Sequence, residues 1–174
     1  MYFDASQISL ATRAFDQAEK MAARHYRLSG DQLKGLRYDV KTLAHLDQHE
    51  INEHAFAHLC RYHYRTERST EDETGFYFYR ICLQDDRILD AVERTAAFIK
   101  LPPLLLYIAA HEIVHVIRFV AGDENFEASP AEKDQEEQRV RAITGEMLSS
   151  ISFPDLKIVM DCFSDRHRLG DLLN

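Results

Sequence analysis

His111, Glu112 and His115 stand in the order His-Glu-x-x-His within Ile108-Ala-Ala-His-Glu-Ile-Val-His-Val-Ile117, the stretch whose residue types and spacing best fit a chemical purpose. On a helix, residues four apart share a face, so two imidazoles can grip one metal ion while Glu112, one step round, reaches a water on it. Zn²⁺ held by three protein ligands keeps a position open for water, lowers the pKa of that water to about 7, and leaves a neighbouring carboxylate to take the proton. The plainer reading is a buried helix whose histidines are satisfied core groups. Against it, two histidines and a glutamate on an otherwise apolar helix are costly to bury without a shared purpose.

The residues framing the motif are uncharged: Ile108, Ala109, Ala110, Ile113, Val114, Val116 and Ile117. With that frame the segment resembles the active-site helix of the zincin metallopeptidases. The resemblance implies bound zinc, His111 and His115 as ligands, Glu112 as general base, and a peptide or another amide as substrate. It also requires a third ligand. The metzincin continuation would place glycine at 118 and histidine at 121, where this chain has Arg118 and Ala121. Peptide deformylases take a cysteine from an upstream strand, and Cys82 invites that comparison, but their surrounding motif is missing. Gluzincins take a glutamate from a second helix downstream, and Glu137-Gln-Arg-Val140 resembles their spacing, with Arg141 standing where that family has an acid. Helix geometry alone leaves two acids open, since Glu136 lies at about -40° and Glu137 at about +60° from Val140. The family spacing favours Glu137.

The resemblance covers about residues 76 to 150; the first 65 residues match no family pattern. A donor for a developing oxyanion is also expected, with Tyr62, Tyr64, Tyr77, Tyr79, Tyr107 and His167 all open. A rival reading keeps the zinc but not the chemistry: an interaction or sensor domain whose site is closed by protein rather than open to a cleft.

These residues need elements to position them. Ile8, Ala11, Phe15, Ala18 and Ala22 recur at helical spacing and predict a helix over 7–28, stopped by Ser29-Gly30. Val40, Leu43, Ala44, Ile51, Ala55 and Leu59 predict a second, longer helix over about 39–65. On that helix His45 and His49 would face solvent, and Asp47, His54 and His58 would face inward, where they could line a cleft. Phe76-Tyr-Phe-Tyr-Arg-Ile-Cys-Leu83 is the best strand in the chain. The zincin resemblance suggests it as the upper rim of a substrate cleft. Asp85-Asp86 start a helix continuing to Ile99. Pro102-Pro103 open the motif helix, which should stop near Gly122. Ser129-Pro-Ala-Glu132 is a capping box with proline at the first helical position, placing Glu136 and Glu137 just inside a helix that carries Val140, Ile143, Met147, Leu148 and Ile151 inward. Leu156 to Phe163 could be strand or helix.

The chain is expected to form one α+β domain over 1–174, mostly helical with a small β-sheet. Its N-terminal part, to about 68, should be helical, and its zinc-site part should run from about 75 to 151. With 45% hydrophobic and 29% charged residues in 174, it can bury a core of its own. A formal charge of -8 argues against nucleic acid as a partner. The apolar run Leu101 to Gly122 carries Pro102, Pro103, His111, Glu112, His115 and Arg118, which argues against a membrane span. Cys60, Cys82 and Cys162, odd in number and widely spaced, read as reduced thiols. Met1-Tyr-Phe-Asp-Ala shows no secretory signal, so a cytoplasmic location is expected.

Overall fold

A computed structural model of the chain describes residues 1–65, 75–95 and 98–163. Its elements are α1 (Ala5–His25), α2 (Gly30–Lys34), β1 (Tyr38–Lys41), β2 (Ala57–Tyr64), β3 (Phe76–Leu83), α3 (Asp85–Arg94), α4 (Leu101–Ala121), α5 (Pro130–Ser149) and α6 (Leu156–Phe163). Two short 3₁₀ turns, Leu43–His45 and Gln48–Glu50, lie between β1 and β2. The fold is α+β, mostly helical with one small mixed sheet.

The motif helix α4 is the axis of the molecule. Its first turn carries Pro102 and Pro103, whose fixed φ suits a helix start. Its end is closed by Gly122 in the left-handed region (φ 77°), whose N–H reaches back to the carbonyls of Arg118 and Phe119. By length and apolarity α4 could cross a membrane, yet nearly all of it from Pro103 to Arg118 is buried among the other elements. α1 packs on it through Ala11, Ala14, Ala18 and Ala22, small residues that let the two helices approach closely. Ile8, expected on that stripe, is exposed. The helix ends at His25, before the expected Ser29-Gly30 stop. Arg27 turns left-handed (φ 52°), and Ser29 instead caps α2 through a capping box with Gln32.

The sheet runs β1-β3-β2, with β1 parallel and β2 antiparallel to β3. β3 matches the expected strand and lies in the centre. Tyr79 of β3 stacks on Phe119 of α4 at 5.8 Å, so Tyr79, Ile81 and Leu83 face the helices while Arg80 and Cys82 face away.

The helix expected over 39–65 does not exist. Its place is taken by β1, the two 3₁₀ turns and β2. Asp47 and Asn52 accept local backbone bonds there, Asp47 capping the second turn and Asn52 Oδ1 taking the N–H of His54 at 2.9 Å, and this chemistry competes with a continuous helix. The helical N-terminal part is corrected accordingly, and β1 and β2 join it to the later elements through β3. The helix after Asp85 stops at Arg94 rather than Ile99, although Ile99 is buried. The capping box at Ser129 starts α5 as expected, and Leu156 to Phe163 is helical.

Candidate metal centre

α4 presents His111 and His115 one turn apart, their ring centroids 4.9 Å from each other. α5 packs against α4 and turns Glu137 to meet them. The Nε2 of His111 lies 3.2 Å from one oxygen of Glu137, and the Nε2 of His115 lies 3.2 Å from the other. The candidate ligand atoms of the three residues all fall within 4.8 Å of one another. Two imidazoles and a carboxylate converging from two helices form a group that could hold a metal ion.

Glu136, the other acid left open by helix geometry, turns away. Its carboxylate pairs with the buried Arg118 of α4 and takes a hydrogen bond from Nη1 of Arg139 at 2.8 Å. Arg141, where the resemblance leads one to expect an acid, places its Nε 3.2 Å from Glu137.

Burial alone would raise the Glu137 carboxyl. The two histidines outweigh it and hold that group well below the usual carboxylate range. Burial would lower His115, but Glu124 and Glu137 together push it up to about 10. Glu112 is nearly enclosed, and burial raises it. The buried Nδ1 of His111 has no hydrogen-bond partner among the described residues.

The three residues and Glu112 line a cleft of about 390 Å³. Its opposite wall is β2, not β3: Phe56, Ala57, His58 and Leu59 line it, while β3 is paired on both sides. Phe76–Leu83, expected at the rim, does not line the cleft; a segment expected to be helix does. The N–H of Gln84 bonds the carbonyl of Phe56 at 2.9 Å. By the alternation of an antiparallel ladder, the backbone groups of Ala57 and Leu59 then point away from β3, at the free edge of the sheet.

Of the inward histidines expected on the absent helix, His58 pairs with Cys82 across the ladder, so its side chain lies on the face turned from α4 and only its strand backbone borders the cleft; burial there, beside His49, lowers its pKa. His45, His49 and His54 are exposed, and Asp47 caps a turn. Tyr107 alone of the tyrosine candidates lines the cleft, its ring stacked at 6.1 Å on His111. Tyr62 donates to Glu50 on the far face of the sheet, Tyr79 packs on Phe119, and Tyr64 and Tyr77 are exposed. His167 lies outside the described residues. Cys82 is fully buried on the face of β3 turned from α4, so it cannot serve the site. All three cysteines are free.

Sequence reasoning missed Glu124, which places both carboxylate oxygens on Nδ1 of His115 at 2.9 and 3.1 Å. It also missed Asn125, Phe126 and Lys133 in the cleft wall. All four lie between Asp123 and Glu137, where the capping box at Ser129 was legible but no residue pointed to the cleft.

No family model, curated protein or solved structure matches this chain.

Proposed function

We propose that the chain is a zinc-dependent hydrolase of peptide or other amide bonds, with His111, His115 and Glu137 holding the metal. One observation carries the reading: the two Nε2 atoms of the motif helix meet one carboxylate of the facing helix on the wall of an open cleft that Glu112 also lines. The openness of the cleft favours an enzyme over an interaction or sensor domain with a closed site.

Zinc, when bound, supplies Lewis acidity toward a carbonyl and lowers the pKa of a water to about 7. Glu112 sits one step round the helix from His111 and takes the proton of the attacking water as the new C–O bond forms. It then returns that proton to the amine nitrogen as the C–N bond breaks. The free edge at Ala57 and Leu59 can hold an extended peptide by strand addition. Asn125 and Lys133 are polar side chains of the cleft wall that can meet its carbonyl oxygen. The acidic chain, formally -8, favours peptide over nucleic acid as the molecule held.

The test joins elemental analysis of the purified protein to one substitution. Glu112→Gln should keep the parent's zinc and lose hydrolysis of a peptide mixture by about a hundredfold or more. A Glu112→Gln protein that shed its zinc, or that hydrolysed as fast as the parent, would remove Glu112 from this role. A parent containing no zinc and insensitive to chelators would remove the metal.

A further inference from the structure

We propose that Glu124 is the positioning residue of the metal centre, orienting His115 from the loop after α4; this inference rests on the zinc reading above. The route from sequence to placement is short. Gly122 takes a left-handed conformation (φ 77°) that ends α4 and reverses the chain. The N–H groups of Asp123 and Glu124 both return to the carbonyl of Arg118, at 2.9 and 3.3 Å. Glu124, nine residues after His115, is thereby folded back along α4 onto the outer edge of the imidazole. Both of its oxygens contact Nδ1. The side chains of Glu124 and His115 are only 10% and 13% exposed.

A structural role alone accounts poorly for this carboxylate. It lies at the C-terminal end of α4, where the helix dipole disfavours negative charge. It also lies close enough to Glu112 to add to the repulsion that raises that group. An acid buried at such a place has a purpose if it must accept from Nδ1–H. That bond fixes the tautomer that leaves Nε2 available to a metal and sets the plane of the ring. His111 has no such support, since its buried Nδ1 lacks a partner among the described residues. Arg141 stands where the resemblance led one to expect a supporting acid, so Glu124 supplies from a loop what that helix position does not.

Zinc affinity, measured by competition with a chromophoric chelator, reads the inference without any substrate. Glu124→Ala should weaken binding about 10- to 100-fold. Glu124→Gln should weaken it less, because its amide oxygen still accepts from Nδ1–H. Asp123→Ala removes the same charge one residue away and should bind like the parent. Melting of the chelator-treated proteins checks folding, and Glu124→Gln, the same shape as the parent, serves if the alanine variant does not fold. Parent-like affinity in Glu124→Ala, or in Glu124→Gln where only that variant folds, overturns the inference and leaves the zinc reading standing, as does an equal loss in Asp123→Ala. Absence of zinc binding in the parent overturns both.

Discussion

Two buried polar networks sit on opposite faces of the same small sheet, and they are balanced differently. On the far face, Glu50 is fully buried and served by three donors: the Tyr62 hydroxyl, Nη1 of Arg80 at 3.1 Å, and the N–H of Asp47 at 2.9 Å. Arg80 in turn grips Asp39 with two bonds of 2.9 and 3.0 Å. Each carboxylate there is held by hydrogen-bond donors. On the helix face, three carboxylates, Glu112, Glu124 and Glu137, gather around two histidines, and the Nδ1 of His111 has no partner among the described residues. A closed network stabilises, whereas a buried ring nitrogen left without a hydrogen bond calls for another explanation, and the metal proposed above offers one. Burial of polar groups is common to both, so it does not mark the site. The imbalance does.

Breaking the balanced network should have the largest effect on folding. Arg80→Met removes a cation from a fully buried carboxylate, and an uncompensated buried charge costs about 3–5 kcal/mol. The change should appear in urea unfolding, with zinc affinity unaltered. Coupled losses of stability and zinc binding would show that the two faces are not independent.

The second effect separates neighbouring acids on one helix. Glu137→Ala should abolish the stabilisation that zinc confers, about 4 kcal/mol at a thousandfold excess over its dissociation constant. Glu136→Ala should leave that response intact and destabilise the protein with or without zinc, because Arg118 loses its principal partner. Differential melting with and without zinc reads both. Parent-like zinc responses in both variants would move the third ligand elsewhere.

What could be read beforehand follows from how local each signal is. The motif helix, β3 and the capping box of α5 declare themselves within a few residues: two prolines and a glycine, a run of aromatics, Ser-Pro-x-Glu. β2 does not, because both of its faces mix apolar and polar residues. Cys60 and Tyr62 meet the far network while Leu59 and Arg61 meet the helix side, where Arg61 lies over the rings of Tyr77 and Phe126. Without one uniformly apolar face there is no simple alternation, and Val40, Leu43, Ala44, Ile51 and Ala55 fell by coincidence near a helical period. The convergence of His111, His115 and Glu137, with Glu136 turned aside, was readable from spacing. Glu124 was not, since its role arises only when Gly122 reverses the chain.

The third effect is one of pH. Burial would raise the Glu50 carboxyl, but Tyr62, the Asp47 N–H and Arg80 lower it from 4.5 to about 2. A depressed folded value means stability that is present above the unfolded value and lost as pH falls through the folded one. That window runs from about 4.5 down to about 2, and the shift corresponds to about 3 kcal/mol. Glu137 titrates low as well, so the contribution is isolated by comparing the parent with Glu50→Gln. The glutamine variant should show a flatter fall of unfolding free energy between pH 5 and pH 2. Equal slopes would mean that Glu50 is not held as an anion.

The smallest effect tests the backbone behind the unbalanced site. A side chain at Gly122 would meet no atom within 4 Å, so crowding is not the obstacle; its φ of 77° is. Gly122→Ala should therefore cost about 1–2 kcal/mol, the penalty for an ordinary residue held left-handed. Gly122→Asn should cost less, since asparagine tolerates that region. Both should also weaken zinc binding, but less than Glu124→Ala does, because the cap can yield slightly while the carboxylate stays on His115. Urea unfolding and chelator competition on the same two proteins measure both quantities. If Gly122→Ala lost stability yet bound zinc like the parent, Glu124 would be placed by its contacts with the imidazole rather than by the turn that precedes it.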